Sequence, residues 1–357
     1  MVSSMTGRSC YTIHSFLGLV PHQNYTTGKL DFVRKDETYI ITDVLLVIDE
    51  GSYIDSSLFR LIDESTDRCK IVIIGDPFQL VSVNEPVSVM DRLECPRAGL
   101  NQIMRHGNII AEAGAKFRHA VATGEFCPIP VNGKEILHVD GNTFRQLIDE
   151  VFTHPRYSEN TARVLAWQNI TVNAYNHYIR GVKGYPERLV AGDVVITNRP
   201  IKFPDGKATS FTTDSTVTIT EIGPDTVQED IPGRWVRLND NHFYFLPHDL
   251  IQAANYFKAL KRSKEWRKFF MLQESWLDLR PGFASTVHKS QGSTYDCAFI
   301  NLTDIGQCTS QNDVARMLYV AFTRAAKQVV LYGQLPPSYG GFNYDAVPLI
   351  NCEPAEV

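Results

Sequence analysis

Residues 45–50 read Leu-Leu-Val-Ile-Asp-Glu, a short apolar run that ends in two carboxylates. Such a run predicts a buried strand, and carboxylates that follow directly lie at the carboxyl edge of a parallel sheet. Residues 71–80, Ile-Val-Ile-Ile-Gly-Asp-Pro-Phe-Gln-Leu, repeat this pattern. Polar side chains at two neighbouring strand ends predict one site at the edge of an α/β sheet.

The residue types at these strand ends are those of nucleotide hydrolysis. An aspartate at this edge can hold Mg²⁺, and a neighbouring glutamate can orient or deprotonate the attacking water. Asp49 and Glu50 are the candidates, with Asp49 as the metal ligand. Gly75 lets the backbone turn beside Asp76, and Gln79 supplies an amide able to sense a γ-phosphate or its water.

The rest of the chain favours an α/β fold with two parallel-sheet domains, because short apolar runs alternate with amphipathic helical patterns. The predicted buried strands are 44–48, 71–74, 164–166, 297–302 and 328–332. The predicted helices include 56–63, 109–121, 144–152 and 312–321. We expect a first domain at 1–118 and a second domain formed by 119–192 and 282–357.

Residues 193–281 have a different pattern and predict an insert. Short alternating strands at 217–220, 235–238 and 243–246 are separated by turn-forming clusters, one of them at 223–225. This pattern is typical of a small antiparallel β-barrel. Residues 250–278 have apolar side chains at helical spacing and predict a helical arm on the barrel.

Composition excludes several classes of protein. Hydrophobic residues make up 43% of the 357 residues and charged residues 21%, as in ordinary globular proteins. No apolar run approaches the ~20 residues needed to cross a bilayer, and the first residues do not resemble a signal peptide. The seven cysteines are scattered without a Cys-x-x-Cys pair, which argues against zinc and disulfides. We expect a cytoplasmic protein, in a bacterial cell or a phage-infected host.

A net charge of −5 is not that of a protein coating DNA over its whole surface. Contacts with nucleic acid would have to come from local patches, and the densest cluster of cations lies at 258–268. Two interpretations stay open for this cluster. It is a solvated helix face, or it follows a nucleic-acid backbone.

Further segments follow the same order as the motifs of one family. The segments are Thr-Ile-His-Ser-Phe-Leu-Gly-Leu at 12–19, Leu-Asn-Gln-Ile-Met-Arg at 100–105, Val-Leu-Ala-Trp-Gln-Asn at 164–169, Ala-Ser-Thr-Val-His-Lys-Ser-Gln-Gly-Ser at 284–293 and Leu-Tyr-Val-Ala-Phe-Thr-Arg-Ala at 318–325. Together with 45–50 and 71–80, they resemble superfamily-1 DNA helicases of the Dda and RecD type, which move 5′ to 3′. The resemblance implies two RecA-like domains, ATP and Mg²⁺ as cofactors, and single-stranded and fork DNA as partners. Helicases of this family serve in replication, repair and recombination.

The resemblance also implies roles for individual residues. The implied catalytic residues are Asp49, Glu50, Gln79, Arg105 and Arg324, and the implied nucleotide-binding residues are Gly75, Asp76, Gln291 and Gly292. The implied DNA-binding residues are Thr12, His14, Ser15, Phe32, Trp167, Asn169, Thr286 and His288. The two arginines would stabilise charge on the transferred phosphoryl group.

A hairpin is predicted at about 20–42, with its turn at Gly28. In the resembling helicases a hairpin at this place splits the duplex, and Phe32 is the candidate wedge that stacks on a base. Phe32 as a buried core residue is an equally weighted alternative. Trp167 likewise stacks on a base or fills the second core, and for His14 a turn-capping role is the plain alternative.

A superfamily-1 motor needs Gly-x-x-x-x-Gly-Lys-Ser/Thr to bind the β- and γ-phosphates. None of the three Gly-Lys pairs, at 28–29, 133–134 and 206–207, stands in that pattern. Relative to the family the chain looks truncated at its N-terminus, so we expect the phosphate loop to lie upstream or on a separate polypeptide, leaving the first sheet without a central strand. The alternatives are an ATPase-inactive DNA-binding helicase remnant or one half of a split helicase. A recombination nuclease subunit is a more distant possibility.

Overall fold

The structure is a computed structural model that describes residue 7 and residues 9–36, 38–80, 89–99, 108–203 and 209–344. The chain divides into two compact units. The first consists of residues 1–77, 81–96 and 254–273, and the second of 78–80, 97–253 and 274–357.

The first unit is built from short strands and helices. Its strands are β1 (Leu19–Gln23), β2 (Leu30–Arg34), β3 (Ile41–Thr42), β4 (Leu45–Ile48), β5 (Thr66–Asp67) and β6 (Lys70–Ile73). Its helices are α1 (Ile13–Phe16), α2 (Ser56–Glu64), α3 (Val89–Arg92), most of α7 (Leu250–Arg262) and α8 (Trp266–Ser275) up to residue 273. A small core packs around Leu17, Leu19, Ile41, Ile48, Ile54 and Ile62.

Strands β4 and β6 confirm the two predicted strand positions, and they pair in parallel with Ile48 opposite Ile73. The expectation that they are buried is wrong. Leu45 is 64% exposed, Val47 53% and Val72 45%. Within the described residues this sheet has two strands only, and these side chains lie on a face that is open to solvent. A parallel sheet is normally covered on both faces, and here it is not.

The predicted hairpin is confirmed at β1 and β2. These strands pair antiparallel from Leu19 opposite Arg34 to Gln23 opposite Leu30. Gly28 has a φ of +71°, a left-handed conformation that favours glycine, which is why the turn forms at this residue. The Asn24 side chain accepts hydrogen bonds from the backbone amides of Thr26 and Thr27 and closes the turn.

The second unit contains a five-stranded sheet that is parallel throughout, with the order β17-β9-β18-β19-β8. These strands are β8 (Ile136–Val139), β9 (Ala162–Ala166), β17 (Ala284–Thr286), β18 (Tyr295–Asn301) and β19 (Ala325–Tyr332). The helices of this unit are α4 (Asn108–Thr123), α5 (Gly141–Thr153), α6 (Asn169–Val182), α9 (Val287–Ser290), α10 (Leu302–Ile305) and α11 (Gln311–Thr323). The short strands β7 (Ile129–Pro130) and β20 (Phe342–Asn343) pair beside them.

Both faces of this sheet are buried. Successive side chains of each strand point to opposite faces, and each face packs into its own core. One core contains Leu165, Ala298 and Leu331, and the other contains Val164, Phe299 and Val330. This explains why the strands read as continuous apolar runs in the sequence. The predicted α/β fold with a parallel sheet is confirmed here.

The inserted segment forms an antiparallel sheet with the order β15-β14-β13-β10-β16. Its strands are β10 (Val194–Thr197), β13 (Thr216–Gln228), β14 (Ile231–Leu238), β15 (Phe243–Pro247) and β16 (Leu279–Arg280), and β11 (Ile201–Lys202) pairs with β12 (Thr209–Phe211) beside it. The two edge strands of this sheet are β15 and β16. In the described residues, a single bridge joins Phe245 of β15 to Trp276, shortly before β16, so the sheet is only partly closed into a barrel.

The turn predicted at 223–225 is wrong. These residues lie inside β13, where the register with β14 shifts between Ile222 and Asp225. The Gly-Pro pair therefore makes an irregularity within one long strand. The chain reverses instead at Glu229 and Asp230, whose φ angles of +51° and +62° are those of a tight hairpin turn.

Two predicted domain limits differ from the division seen in the structure. Helix α4 was expected in the first domain, but its Ile110, Ala113 and Phe117 belong to a core of the second unit, and Phe117 packs on Phe322 with centroids 4.9 Å apart. The helical arm was expected on the insert, but residues 254–273 belong to the first unit.

No helix in the part of the chain that the structure describes has the length and hydropathy needed to cross a membrane.

Candidate functional site

The ends of β4 and β6 lie side by side in the first unit. The amide of Ile74 donates to the carbonyl of Ile48, and the amide of Gly51 donates to the carbonyl of Ile74, both at 2.8 Å. The backbone hydrogen bonds between β4 and β6 thus continue beyond the ends of both strands, to the residues that carry the polar side chains. Asp49 and Glu50 follow one strand, and Gly75 and Asp76 follow the other.

This close approach explains the glycines in the two motifs. A Cβ atom on Gly75 would lie 3.1 Å from the amide nitrogen of Gly51 and 3.2 Å from that of Ser52. A Cβ on Gly51 would lie 2.2 Å from the Ile73 side chain. Side chains at these two positions would push the strand ends apart, so the glycines hold the four predicted site residues together.

The backbone at Glu50 is unusual. Its φ is +53°, in the left-handed region that few residues other than glycine adopt. Its amide donates to the Asp49 carboxylate at 2.9 Å. Strained backbone of this kind is common at functional sites, and here it turns the chain sharply between the two carboxylates.

The donor set at this edge fits Mg²⁺ that is held largely by phosphate oxygens. Among the described residues, no group of three His, Cys, Asp or Glu side chains surrounds a metal position. Mg²⁺ at nucleotide sites takes one or two carboxylates and completes its shell with phosphates and water. Asp49 suits that role. The Gly-x-x-x-x-Gly-Lys-Ser/Thr pattern that binds a phosphate chain does not occur in these 357 residues.

Gln79 belongs to the second unit, because residues 78–80 are assigned to it. Its carbonyl accepts a hydrogen bond from the Arg316 guanidinium of α11. Leu80 is buried in the core of that unit, and the Arg118 guanidinium lies 4.5 Å from the Phe78 ring centroid. Sequence reasoning missed Arg316, although an arginine within the apolar run of α11 was a visible signal.

Arg324 ends α11 and is 2% exposed. Its guanidinium donates to the carbonyls of Val320 and Ser293 and to the Thr323 hydroxyl. In this arrangement the side chain holds the end of α11 against the segment before β18. Its expected role at the phosphoryl group stays a prediction.

The motif around α9 lies at the end of β17. Thr286 is buried and caps α9, because its hydroxyl accepts a hydrogen bond from the Lys289 amide at 3.3 Å. His288 is exposed, Gln291 ends the helix, and Gly292 has a φ of +79°. Thr286 thus ends β17 and also stabilises the first turn of α9. Of the two predicted DNA-binding residues in this motif, His288 is the exposed one.

The first predicted DNA-binding motif forms α1. The Thr12 hydroxyl accepts a hydrogen bond from the Ser15 amide at 3.3 Å, and both side chains are exposed. The His14 ring packs on Phe32 with centroids 4.3 Å apart. Burial lowers the pKa of His14, and the nearby Asp55 carboxylate opposes this only in part. The contact of His14 with DNA stays a prediction.

Phe32 is 41% exposed, which rules out the alternative of a buried core residue. Phe32 lies opposite Pro21 in the middle of the hairpin strands, whereas the turn at 24–29 forms the tip of the hairpin. A wedge formed by Phe32 would therefore lie on the face of the hairpin and not at its tip.

Trp167 is half-buried and packs against the core of the second unit. Filling this core was one of the two roles predicted for it. Asn169 is exposed at the start of α6, and its side-chain oxygen accepts from Arg280 at 3.1 Å. Asn176, further along α6, is buried and hydrogen-bonds the backbone of Phe283 and Ala284. It thereby fixes the start of β17 beside α6.

Asp304 is a residue that sequence reasoning missed. It is 3% exposed, and its carboxylate accepts from the amides of Trp167 and Gln168 at 2.6 and 2.8 Å and from the Thr171 hydroxyl at 2.5 Å. These bonds satisfy the amides of the two residues that immediately precede α6 and the hydroxyl of Thr171 in its first turn, where a negative charge is also favoured by the helix dipole. No local signal in the sequence links residue 304 to residue 167.

We expect Asp304→Ala to lower the free energy of unfolding by about 2–4 kcal/mol, because three buried donors lose their acceptor. Urea unfolding followed by tryptophan fluorescence measures this change. Asp313→Ala removes an exposed carboxylate near the start of α11 and should cost less than about 1 kcal/mol. Equal effects of the two substitutions would contradict the role given to Asp304.

Arg105 and the rest of its motif lie outside the described residues, so its predicted role stays a prediction.

Comparisons with known proteins match two segments of the chain. Residues 281–332 match the UvrD-like helicase C-terminal domain, and residues 1–85 match an AAA domain. The strand ends at Asp49 and Gly75 fall inside the AAA match, and the α9 motif and Arg324 fall inside the helicase match. The helicase match agrees with the resemblance found in the sequence, whereas the Dda and RecD subtype stays a prediction.

Individual relatives are distant. An uncharacterised protein of Acanthamoeba polyphaga mimivirus is 21% identical over 404 residues, which cover 89% of this chain and 81% of that protein. The Bacteroides Pif1 helicase with ADP-AlF3 and single-stranded DNA is 15% identical, with a TM-score of 0.43 and 84% and 73% of the two chains covered. The Candida albicans Pif1 helicase is 14% identical, with a TM-score of 0.39 and 83% and 74% covered.

Proposed function

We propose that this chain is the larger part of an ATP-dependent DNA helicase that moves 5′ to 3′ on single-stranded DNA in the cytoplasm of a bacterial cell or phage-infected host. The observation that carries the proposal is the hydrogen-bonded pair of strand ends. It brings Asp49 and Glu50 next to Gly75 and Asp76, inside the segment that matches an AAA domain.

In the proposed reaction ATP is the substrate, and Asp49 would hold Mg²⁺, which would supply positive charge to the phosphate oxygens. Glu50 orients the attacking water and receives its proton. Arg324 and Arg105 stabilise negative charge on the phosphoryl oxygens. Thr12, Ser15, His288 and Asn169 offer exposed polar side chains for the DNA strand, and Phe32 offers an exposed ring to a base at the fork.

We further propose that the phosphate-binding loop is supplied by another stretch of polypeptide. The exposed apolar side chains of Leu45, Val47 and Val72 support this proposal. They lie on a two-stranded parallel sheet, which is the kind of surface that an added strand and its helix would cover. The loop would then lie at the same sheet edge as Asp49.

The test combines DNA binding with ATP hydrolysis. We expect the purified chain to bind labelled oligothymidylate in fluorescence anisotropy, yet to hydrolyse no ATP. Adding the polypeptide encoded directly upstream of its first codon should restore DNA-stimulated hydrolysis. Glu50→Gln should then lower kcat by roughly 10²–10⁴-fold, whereas Glu64→Gln, which alters an exposed acid at the end of α2, should not.

Turnover by the chain alone that disappears in Glu50→Gln would show that no outside loop is needed. DNA binding without hydrolysis in every mixture would favour the ATPase-inactive, DNA-binding alternative. Strand displacement on forks with a 5′ or a 3′ single-stranded arm decides the direction of movement, and activity on the 3′ arm would contradict the proposed polarity.

A further inference from the structure

The turn that joins α7 and α8 has a strong local positive charge. Within residues 258–268 the chain carries six cations and one acid, although its overall net charge is −5. The cations are Lys258, Lys261, Arg262, Lys264, Arg267 and Lys268. The single carboxylate, on Glu265, accepts a hydrogen bond from the Ser263 hydroxyl at 2.8 Å. Among the described residues, the first five of these cations form no ion pair.

The packing of the two helices directs these cations to the solvent. Helix α7 buries Phe257 and Leu260, and α8 buries Phe269 and Phe270. Phe257 and Phe269 meet edge to face with centroids 5.8 Å apart. Because the apolar faces are used for contact within the first unit, the charged faces remain outside. Five of the six cations are exposed.

The turn of the β1–β2 hairpin lies against the same end of α8. The Trp266 ring packs so closely on Gly28 that a Cβ there would lie 2.3 Å from it. The Tyr25 and Phe270 rings contact edge to face at 6.1 Å, and the Arg267 guanidinium lies 5.7 Å from the Tyr25 ring centroid. The exposed Lys29 adds a further cation from the hairpin. The hairpin turn and the helical turn thus form one surface, which we call the basic turn surface (residues 24–29 and 258–268).

The kind of ligand follows from what this surface presents. Surfaces that bind single strands present free aromatic rings on which bases stack. Here Phe257, Phe269 and Phe270 are buried, and the Trp266 ring is packed on the hairpin. The Tyr25 ring is 51% exposed, but it lies between the Arg267 guanidinium and the Phe270 ring. Most of the other exposed groups are ammonium and guanidinium ions, which contact phosphates without reading bases. Duplex DNA presents such phosphates at a density of one charge per ~1.7 Å of axis.

We propose that the basic turn surface binds the phosphate backbone of duplex DNA. This inference rests on the proposed function, since a helicase at a fork meets duplex ahead of the strand on which it moves. The surface would hold that duplex beside the hairpin. It is a separate contact from the exposed residues of α1 and α9 proposed for the single strand.

The test compares two labelled probes of equal length, a blunt DNA duplex and oligothymidylate, in anisotropy titrations over a range of salt. The variant is Lys261→Gln/Arg262→Gln/Lys264→Gln. Its matched control is Lys134→Gln/Arg156→Gln/Lys327→Gln, which removes three exposed cations of the second unit. Circular dichroism and thermal unfolding check that each variant folds, because Lys261 also lies 4.7 Å from the Phe269 ring centroid.

We expect the variant to bind the duplex roughly 30-fold more weakly at ~0.1 M salt and to show a salt slope smaller by about 2. Its binding of oligothymidylate and the duplex binding of the control should stay unchanged. Duplex affinity that survives in the variant would overturn the inference, as would competition by poly-glutamate as effective as that by unlabelled duplex. If the unaltered chain binds oligothymidylate but not duplex, this inference alone is wrong. If it binds neither, the proposed function is wrong and the inference falls with it.

Discussion

Replacing Arg324 with alanine should lower the kcat of DNA-stimulated ATP hydrolysis on the order of 10³-fold, once the phosphate-binding loop has been supplied. A guanidinium beside the transferred phosphoryl group stabilises the charge that spreads over its oxygens, and alanine cannot replace that interaction. Steady-state hydrolysis with saturating ATP and oligothymidylate measures the change. KM for ATP should change less than kcat, because the charge develops in the transition state.

The structure also indicates a structural role for Arg324, and the experiment has to distinguish this role from the catalytic one. The buried guanidinium hydrogen-bonds the carbonyls of Val320 and Ser293, so alanine should also destabilise the second unit. Arg163→Ala is the matched control, because Arg163 is a buried arginine of the same unit that has no proposed place in the site. If both variants lose stability and keep the same kcat, Arg324 is a structural residue. A loss of kcat confined to Arg324→Ala supports the catalytic role.

The largest expected effect on stability comes from the ion pair between Arg180 and Asp193. The two side chains are 5% and 7% exposed and lie 2.7 Å apart. The Arg180 guanidinium also donates to the carbonyls of Pro186 and Arg188, and Asp193 accepts from the Val190 amide. Arg180→Ala should lower the free energy of unfolding by about 3–5 kcal/mol, because it leaves a buried carboxylate without its counter-charge.

Urea unfolding of the full chain measures this loss. Arg188→Ala is the matched control, since its ion pair with Asp225 spans 3.6 Å and both side chains are more than half exposed. Such surface pairs contribute between about 0 and 1 kcal/mol. In the double variant Arg180→Ala/Asp193→Asn the loss should be smaller than in Arg180→Ala. A loss as large as that of the single variant would show that charge burial is not the cause.

The ion pair also explains how the insert is attached. Arg180 lies near the end of α6, and Asp193 lies immediately before β10, the first strand of the antiparallel sheet. The intervening residues 183–192 are held by the hydrogen bonds that Arg180 makes to their carbonyls. The connection between the parallel sheet and the insert is therefore an ordered part of the second unit.

Local sequence pattern predicted most strands and helices within a few residues of their observed bounds. The strand predicted at 164–166 is observed as Ala162–Ala166, and the helix predicted at 144–152 as Gly141–Thr153. Apolar runs and helical periodicity are properties of neighbouring residues, so a single sequence contains them. The turn predicted at 223–225 failed because β14 pairs with β13 before and after this Gly-Pro segment, at Ile222 and at Asp225.

For the candidate site, the sequence identified the residues but not their surroundings. The pairing of strand ends at Asp49 and Gly75 follows from the rule that parallel strands present their carboxyl ends together. By contrast, Asp304 and Arg316 act on the motifs through contacts with residues far away in the chain. The arginine within the apolar run of α11 was visible in the sequence, but no pattern within one stretch indicates which distant residue such a side chain contacts.

The sequence by itself determined the α/β character of the chain, the order of its helicase-type segments and the absence of a Gly-x-x-x-x-Gly-Lys-Ser/Thr loop within these residues. Each of these is a local property that can be read one segment at a time. Only the tertiary structure decided that β4 and β6 stay exposed, that Arg324 is buried, and that the helical arm packs on the hairpin turn at Gly28. These outcomes depend on which distant residues come into contact and on which side chains remain exposed. They cannot be read from one segment, because burial is a property of the folded chain as a whole.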